Sequence, residues 1–71
     1  MGASHAAPLH AHLQLVRAEY DEMPNLRLTP SEAQRLFALE PVTCRRVLDA
    51  LLLEDFLSRT RDGLFVRSAR R

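Results

Sequence analysis

Leu36-Phe37-Ala38-Leu39-Glu40-Pro41-Val42-Thr43-Cys44-Arg45-Arg46-Val47-Leu48 decides how this chain folds. Apolar residues recur at helical spacing on both sides of Glu40-Pro41, so without the proline the stretch reads as one long amphipathic rod. Pro41 has no N–H for a helix to use and drives Glu40 into extended backbone. The stretch therefore divides into two helices joined by a tight turn. Upstream of the break, Ala33, Leu36 and Phe37 form the buried face of the shorter helix. Downstream, Cys44, Val47, Leu48, Leu51 and Leu52 share one arc of a helical wheel, and the longer helix runs from Pro41 to about Glu54.

Punctuation on either side sets the limits of these two helices. Thr29-Pro30-Ser31-Glu32 is the sharpest local signal: the Thr29 hydroxyl accepts from the N–H of Glu32, and the Glu32 carboxylate accepts from the N–H of Thr29. Glu40 is a mediocre cap whose charge nevertheless suits the positive end of a helix. Asp55 takes the left-handed position after the third helix, where glycine is commoner. Further out, Leu9, Leu13, Val16 and Tyr20 make the stripe of a first helix opened by Pro8 and ended by Met23-Pro24-Asn25. Leu26-Arg27-Leu28 alternates like a short strand. Phe56 to Thr60 and Leu64 to Arg67 read as two more, joined by Asp62-Gly63 as a two-residue hairpin turn.

Length and composition bound what such a chain can be. Its 71 residues allow one small domain, which buries roughly 60% of the surface its extended chain exposes. A 46% hydrophobic and 27% charged composition is that of an ordinary folded protein, too apolar for a disordered one. No apolar run approaches the ~18 residues of a membrane span, and no signal-like start directs export. A single cysteine excludes an internal disulfide framework and a cysteine-based zinc site. A cytoplasmic setting is expected. Residues 1–7 read as a tail, 8–67 as the domain and 68–71 as a basic tail. The net charge of +1 is unevenly spread: three arginines against five acids through Glu40 give −2, and seven arginines against four acids from Pro41 give +3. The all-arginine, lysine-free basic set fits a GC-rich genome as well as a function. Arginine is also the better bidentate binder of phosphate and guanine.

Helix, strand, helix, tight turn, helix, two-stranded hairpin is an α+β order in which the first helix and the hairpin cover what the two short helices leave open. It is the layout of a winged helix-turn-helix. Ala33 to Leu48 resembles the helix-turn-helix of winged-helix transcription regulators of the gluconate-repressor class. Ala33 corresponds to the small residue where two helices cross. Leu36, Leu39, Cys44, Leu48 and Leu51 correspond to core positions, and Thr43 to the threonine near the start of the recognition helix. Phe56-Leu57 corresponds to the apolar pair entering the wing and Arg61-Asp62-Gly63 to its tip. The likeness covers about residues 9–67. Ala38 and Glu40 depart from the usual glycine and serine of the turn, and Asp55 from the usual glycine after the third helix.

The resemblance implies a small DNA-binding regulator with its third helix in the major groove. Arg45 and Arg46 are then the candidates for guanine O6 and N7 or a phosphate, Thr43 for a phosphate and Val42 for a thymine methyl. Arg59, Arg61 and Arg67 on the wing face the backbone or minor groove. The alternative is a winged helix that binds protein without DNA. Arg46 and Asp49, three apart, pair with each other on that reading, and Val42 and Leu53 leave the face partly apolar. Leu53 and the outer side of the first helix are the candidate surfaces for a homodimer or a protein partner.

Other chemistries find little support. His5, His10 and His12 do not share a helical face and have no cysteine or acid beside them, so a solvated tail outweighs a metal site. Cys44 lies in an apolar arc as a small core residue, and Tyr20 and the three phenylalanines read as core before stacking platforms. No nucleophile has a base at hand, and Gly2 and Gly63 make no phosphate loop. Neither an enzyme nor a cofactor is expected.

Overall fold

The computed structural model describes residues 9–69, which run as α1 (Leu9–Glu22), β1 (Arg27–Leu28), α2 (Pro30–Phe37), α3 (Pro41–Leu53), β2 (Leu57–Arg59) and β3 (Phe65–Arg67). The strands form one antiparallel sheet in the order β1-β3-β2, so the described residues make a small α+β fold of three helices and three strands. The tail at residues 1–7, Pro8 and the last two arginines lie outside the described residues.

The boundaries of α2 and α3 have local causes. At α2 the reciprocal Thr29–Glu32 box is complete: the N–H of Glu32 donates to Thr29 Oγ1 at 3.1 Å and the N–H of Thr29 to Glu32 Oε1 at 2.9 Å. Glu40 is extended (φ −72°, ψ 161°) and starts α3 without a side-chain cap bond, its carbonyl accepting from the N–H of Cys44 at 2.8 Å. Both α2 and α3 end in the same device. Leu39 N–H reaches back to Gln34 O and Ala38 N–H to Arg35 O; Phe56 N–H reaches Leu51 O and Asp55 N–H reaches Leu52 O. These paired bonds satisfy carbonyls that the helix ends leave open. They require left-handed backbone at Ala38 (φ 54°) and Asp55 (φ 64°), where neither residue has glycine's freedom.

The core is the sum of the apolar faces: Val16 and Tyr20 from α1, Leu28 from β1, Ala33 and Phe37 from α2, Cys44, Val47, Leu48 and Leu51 from α3, Leu57 and Phe65 from the sheet. Ala33 is fully buried, as the crossing of α2 requires a small residue there. Leu36 departs from the expected face. It remains 48% exposed, because α2 is only eight residues long and is covered from one side. Leu39 and Leu52 are half-buried against the core's margin. The buried Tyr20 hydroxyl donates to the carbonyl of Phe65 at 2.8 Å and so ties α1 to β3.

In the sheet Leu28 pairs with Phe65, Leu57 with Arg67 and Arg59 with Phe65. Alternation puts Leu28, Leu57 and Phe65 on the face that meets the helices, and Arg59 and Arg67 on that face at its opposite ends. The β2–β3 turn has three residues where Asp62-Gly63 suggested two. Thr60 N–H donates to Leu64 O and Gly63 N–H to Thr60 O, both at 2.9 Å, and Gly63 stands at φ +85°. This is a turn followed by a left-handed glycine bulge. Thr60 Oγ1 takes the N–H of Leu64 at 3.0 Å, the donor that the bulge would otherwise strand.

Candidate nucleic-acid interface

Because α3 starts abruptly at Pro41 and buries Cys44, Val47, Leu48 and Leu51, its opposite side is turned to solvent. That side carries Val42, Arg45, Arg46, Asp49 and Leu53, with Thr43 half-buried at the edge. The i, i+3 pairing of Arg46 with Asp49 that the spacing allows is not made. Arg45, Arg46 and Arg61 have no ion-pair partner among the described residues.

The β2–β3 hairpin stands beside α3. Arg59, at the end of β2, holds its guanidinium 5.0 Å from the centre of the Phe65 ring, a contact worth about 0.5–1 kcal/mol at an exposed site. Between α2, α3 and the hairpin lies a cleft of about 270 Å³, rimmed by Gln34, Arg45, Asp49 and Arg59 over Cys44, Leu48 and Phe65. The helix and the hairpin thus bring one arginine each to one opening, and Asp49 is the acid among them. Arg61 is exposed at the turn. Glu40 stands exposed at the start of α3.

Arg67 is placed differently. Although it lies on β3 with its side chain on the same sheet face as Arg59, it donates to Asp21 Oδ1 of α1 at 2.8 Å and lies 4.5 Å from the centre of the Phe56 ring. Arg17 approaches the same ring at 5.4 Å and pairs with Glu54. Tyr20 meets Phe56 edge-on, with centroids 6.4 Å apart. Nothing local in the sequence signals these pairs, whose partners stand 37 and 46 residues apart. Compared with known protein families, characterised proteins and solved structures, the chain gives no match.

Cys44 lies under the cleft, and Tyr20 lies in the core beside Phe56. Burial pushes the Cys44 thiol up, which keeps it protonated as a core residue. Burial first, and the nearby Cys44 second, push the Tyr20 hydroxyl up to about 12, so it remains a hydrogen-bond donor at neutral pH. His10 and His12 belong to α1, His10 exposed and His12 half-buried; His5 lies outside the described residues. Among the described residues no three His, Cys, Asp or Glu side chains are grouped to hold a metal ion, and no helix is long and apolar enough to cross a membrane. Met23 and Leu36, both exposed, line a shallow groove with Leu26 between the end of α1 and α2, edged by Arg27, Glu32 and Arg35.

Proposed function

We propose that this chain is a winged-helix domain that binds duplex DNA, with α3 as the recognition helix and the β2–β3 hairpin as the wing. The observation that carries the reading is the placement of its arginines. Arg45 and Arg46 on α3 and Arg61 on the hairpin are exposed without ion-pair partners among the described residues, and Arg59 opens onto the same cleft as Arg45. The order of helices and strands agrees with it, as does the run of residues from Ala33 to Leu48.

In this reading Arg46, near the middle of the exposed line of α3, hydrogen-bonds a base edge. Arg45 and Arg59, on opposite sides of the cleft, each take a backbone phosphate, a contact suited to the forked guanidinium. Val42, 65% exposed, packs on a thymine methyl. Thr43, half-buried, is left with a phosphate contact at the edge of the face, and Arg61 extends the positive face along the backbone. Arg67, engaged with Asp21, serves the joint between α1 and the sheet. Asp49 and Glu40 oppose the nearest phosphates and keep the affinity moderate, as the small net charge of +1 also does.

A gel-shift titration with a mixed-sequence duplex at two salt concentrations tests the proposal. Each phosphate contact lowers log affinity by about 0.9 per decade of salt, so contacts from Arg45, Arg59 and Arg61 give a slope near −3. Arg46→Ala costs roughly 1–3 kcal/mol of binding where that side chain reads a base. Binding that ignores salt, or an Arg46→Ala variant as tight as the parent, contradicts the reading.

A further inference from the structure

The exposed residues of α3 have an order that the DNA reading does not use. Val42, Arg46, Asp49 and Leu53 are spaced four, three and four apart and so form one line along the helix. The line runs apolar, basic, acidic, apolar. Laid antiparallel on a second copy about a two-fold axis, it is its own complement: Val42 meets the second copy's Leu53 and Arg46 meets the second copy's Asp49, each contact occurring twice. We propose that α3 pairs with α3 of a second copy along this line.

Three observations favour that occupant. Leu53 is 87% exposed and Val42 65%, large apolar side chains at the two ends of the line. Arg46 and Asp49 are close enough in sequence to pair within one helix and do not, and neither has an ion-pair partner among the described residues, so both charges can meet a second copy. The apolar groove at Met23 and Leu36 has no such self-matching charge order. The line is about 16 Å long at 1.5 Å per residue, and one helix pair buries less than the about 1,200 Å² of a standard stable interface. Association is therefore weak and reversible by dilution. Its consequence, which rests on the DNA reading, is regulatory: Arg46 cannot face a base and a second copy at once, so self-association and duplex binding exclude each other.

Sedimentation equilibrium of the full chain from about 10 µM to about 1 mM, the range of weak complexes, tests the pairing. The parent passes from monomer towards dimer across that range. Leu53→Gln weakens association by about tenfold or more, and Arg46→Asp, which sets acid against acid, does the same. The double variant Arg46→Asp/Asp49→Arg recovers the parent's association, because the swapped line is complementary again and its charges suit the helix dipole. A parent that stays monomeric to about 1 mM, or a double variant no better than Arg46→Asp, overturns the proposal. The measurement contains no DNA, so its failure and a failure of duplex binding are seen separately.

Discussion

Two arginine–phenylalanine clusters sit at opposite ends of the sheet's inner face, and they differ in one respect. Around Phe56, Arg17 and Arg67 each find a carboxylate, Glu54 and Asp21, and Tyr20 completes the cluster edge-on. Around Phe65, Arg59 lies over the ring and Arg45 rims the same cleft, yet neither is ion-paired among the described residues although Asp49 is on the rim. The residue types are alike. What separates a structural joint from a surface that can take a partner is whether the fold supplies the acid. At the closed end Arg67 fastens the sheet to α1 and Arg17 fastens α1 to the end of α3; at the open end the same chemistry faces solvent, where a phosphate can supply the missing charge.

Tyr20 anchors the closed end, and its alteration has the largest expected effect. Tyr20→Phe keeps the ring packing and removes the bond to the Phe65 carbonyl, an expected loss of about 1–2 kcal/mol in denaturant unfolding. It also alters the alkaline limb. The hydroxyl is pushed from 10.0 up to about 12 in the folded state, so the folded protein holds that proton more tightly than the unfolded chain does. The associated stability is intact below pH 10 and is lost as pH rises through about 12. The parent's stability therefore falls over this window, and Tyr20→Phe flattens the fall.

A crossed pair of substitutions sharpens it. Arg67→Ala removes an ion pair and a ring contact and costs about 1 kcal/mol of stability, with duplex affinity unchanged. Arg59→Ala removes a ring contact alone, costs less in thermal unfolding, and reduces both the duplex affinity and its salt slope by about one contact. Identical behaviour of the two variants would erase the distinction between the ends.

The smallest effect concerns the turn that sets α3 against α2. Ala38 holds φ 54° because the paired terminal bonds of α2 demand it. Ala38→Gly relieves the strain of a Cβ in left-handed backbone and is expected to raise stability by about 0.5–1 kcal/mol, measured by the denaturation midpoint.

What the sequence disclosed follows the range of the interactions. The Thr29–Glu32 box, the break at Glu40-Pro41 and the left-handed Asp55 are settled within a few residues of chain, and each could be read directly. Leu36 stands exposed because periodicity gives a direction and not a cover: it shares an arc with Ala33 and Phe37, but packing reaches only part of that arc. The hairpin turn is one residue longer than Asp62-Gly63 suggests, since Asp-Gly fits a two-residue turn as well as the end of a bulged three-residue one. The candidate arginines on α3 were visible from the helical wheel. That Arg67 belongs to the closed cluster was not, because its partner Asp21 lies 46 residues away and meets it only through the fold.

The distinction between the two ends is tested most directly by following backbone amide resonances during titration with a mixed-sequence duplex, at protein concentrations low enough to keep the chain monomeric. Shifts concentrated at residues 42–49 and 59–63 are expected, with Arg17, Asp21 and Arg67 little affected. Shifts centred on the Phe56 cluster, or no shifts at low salt, would contradict it.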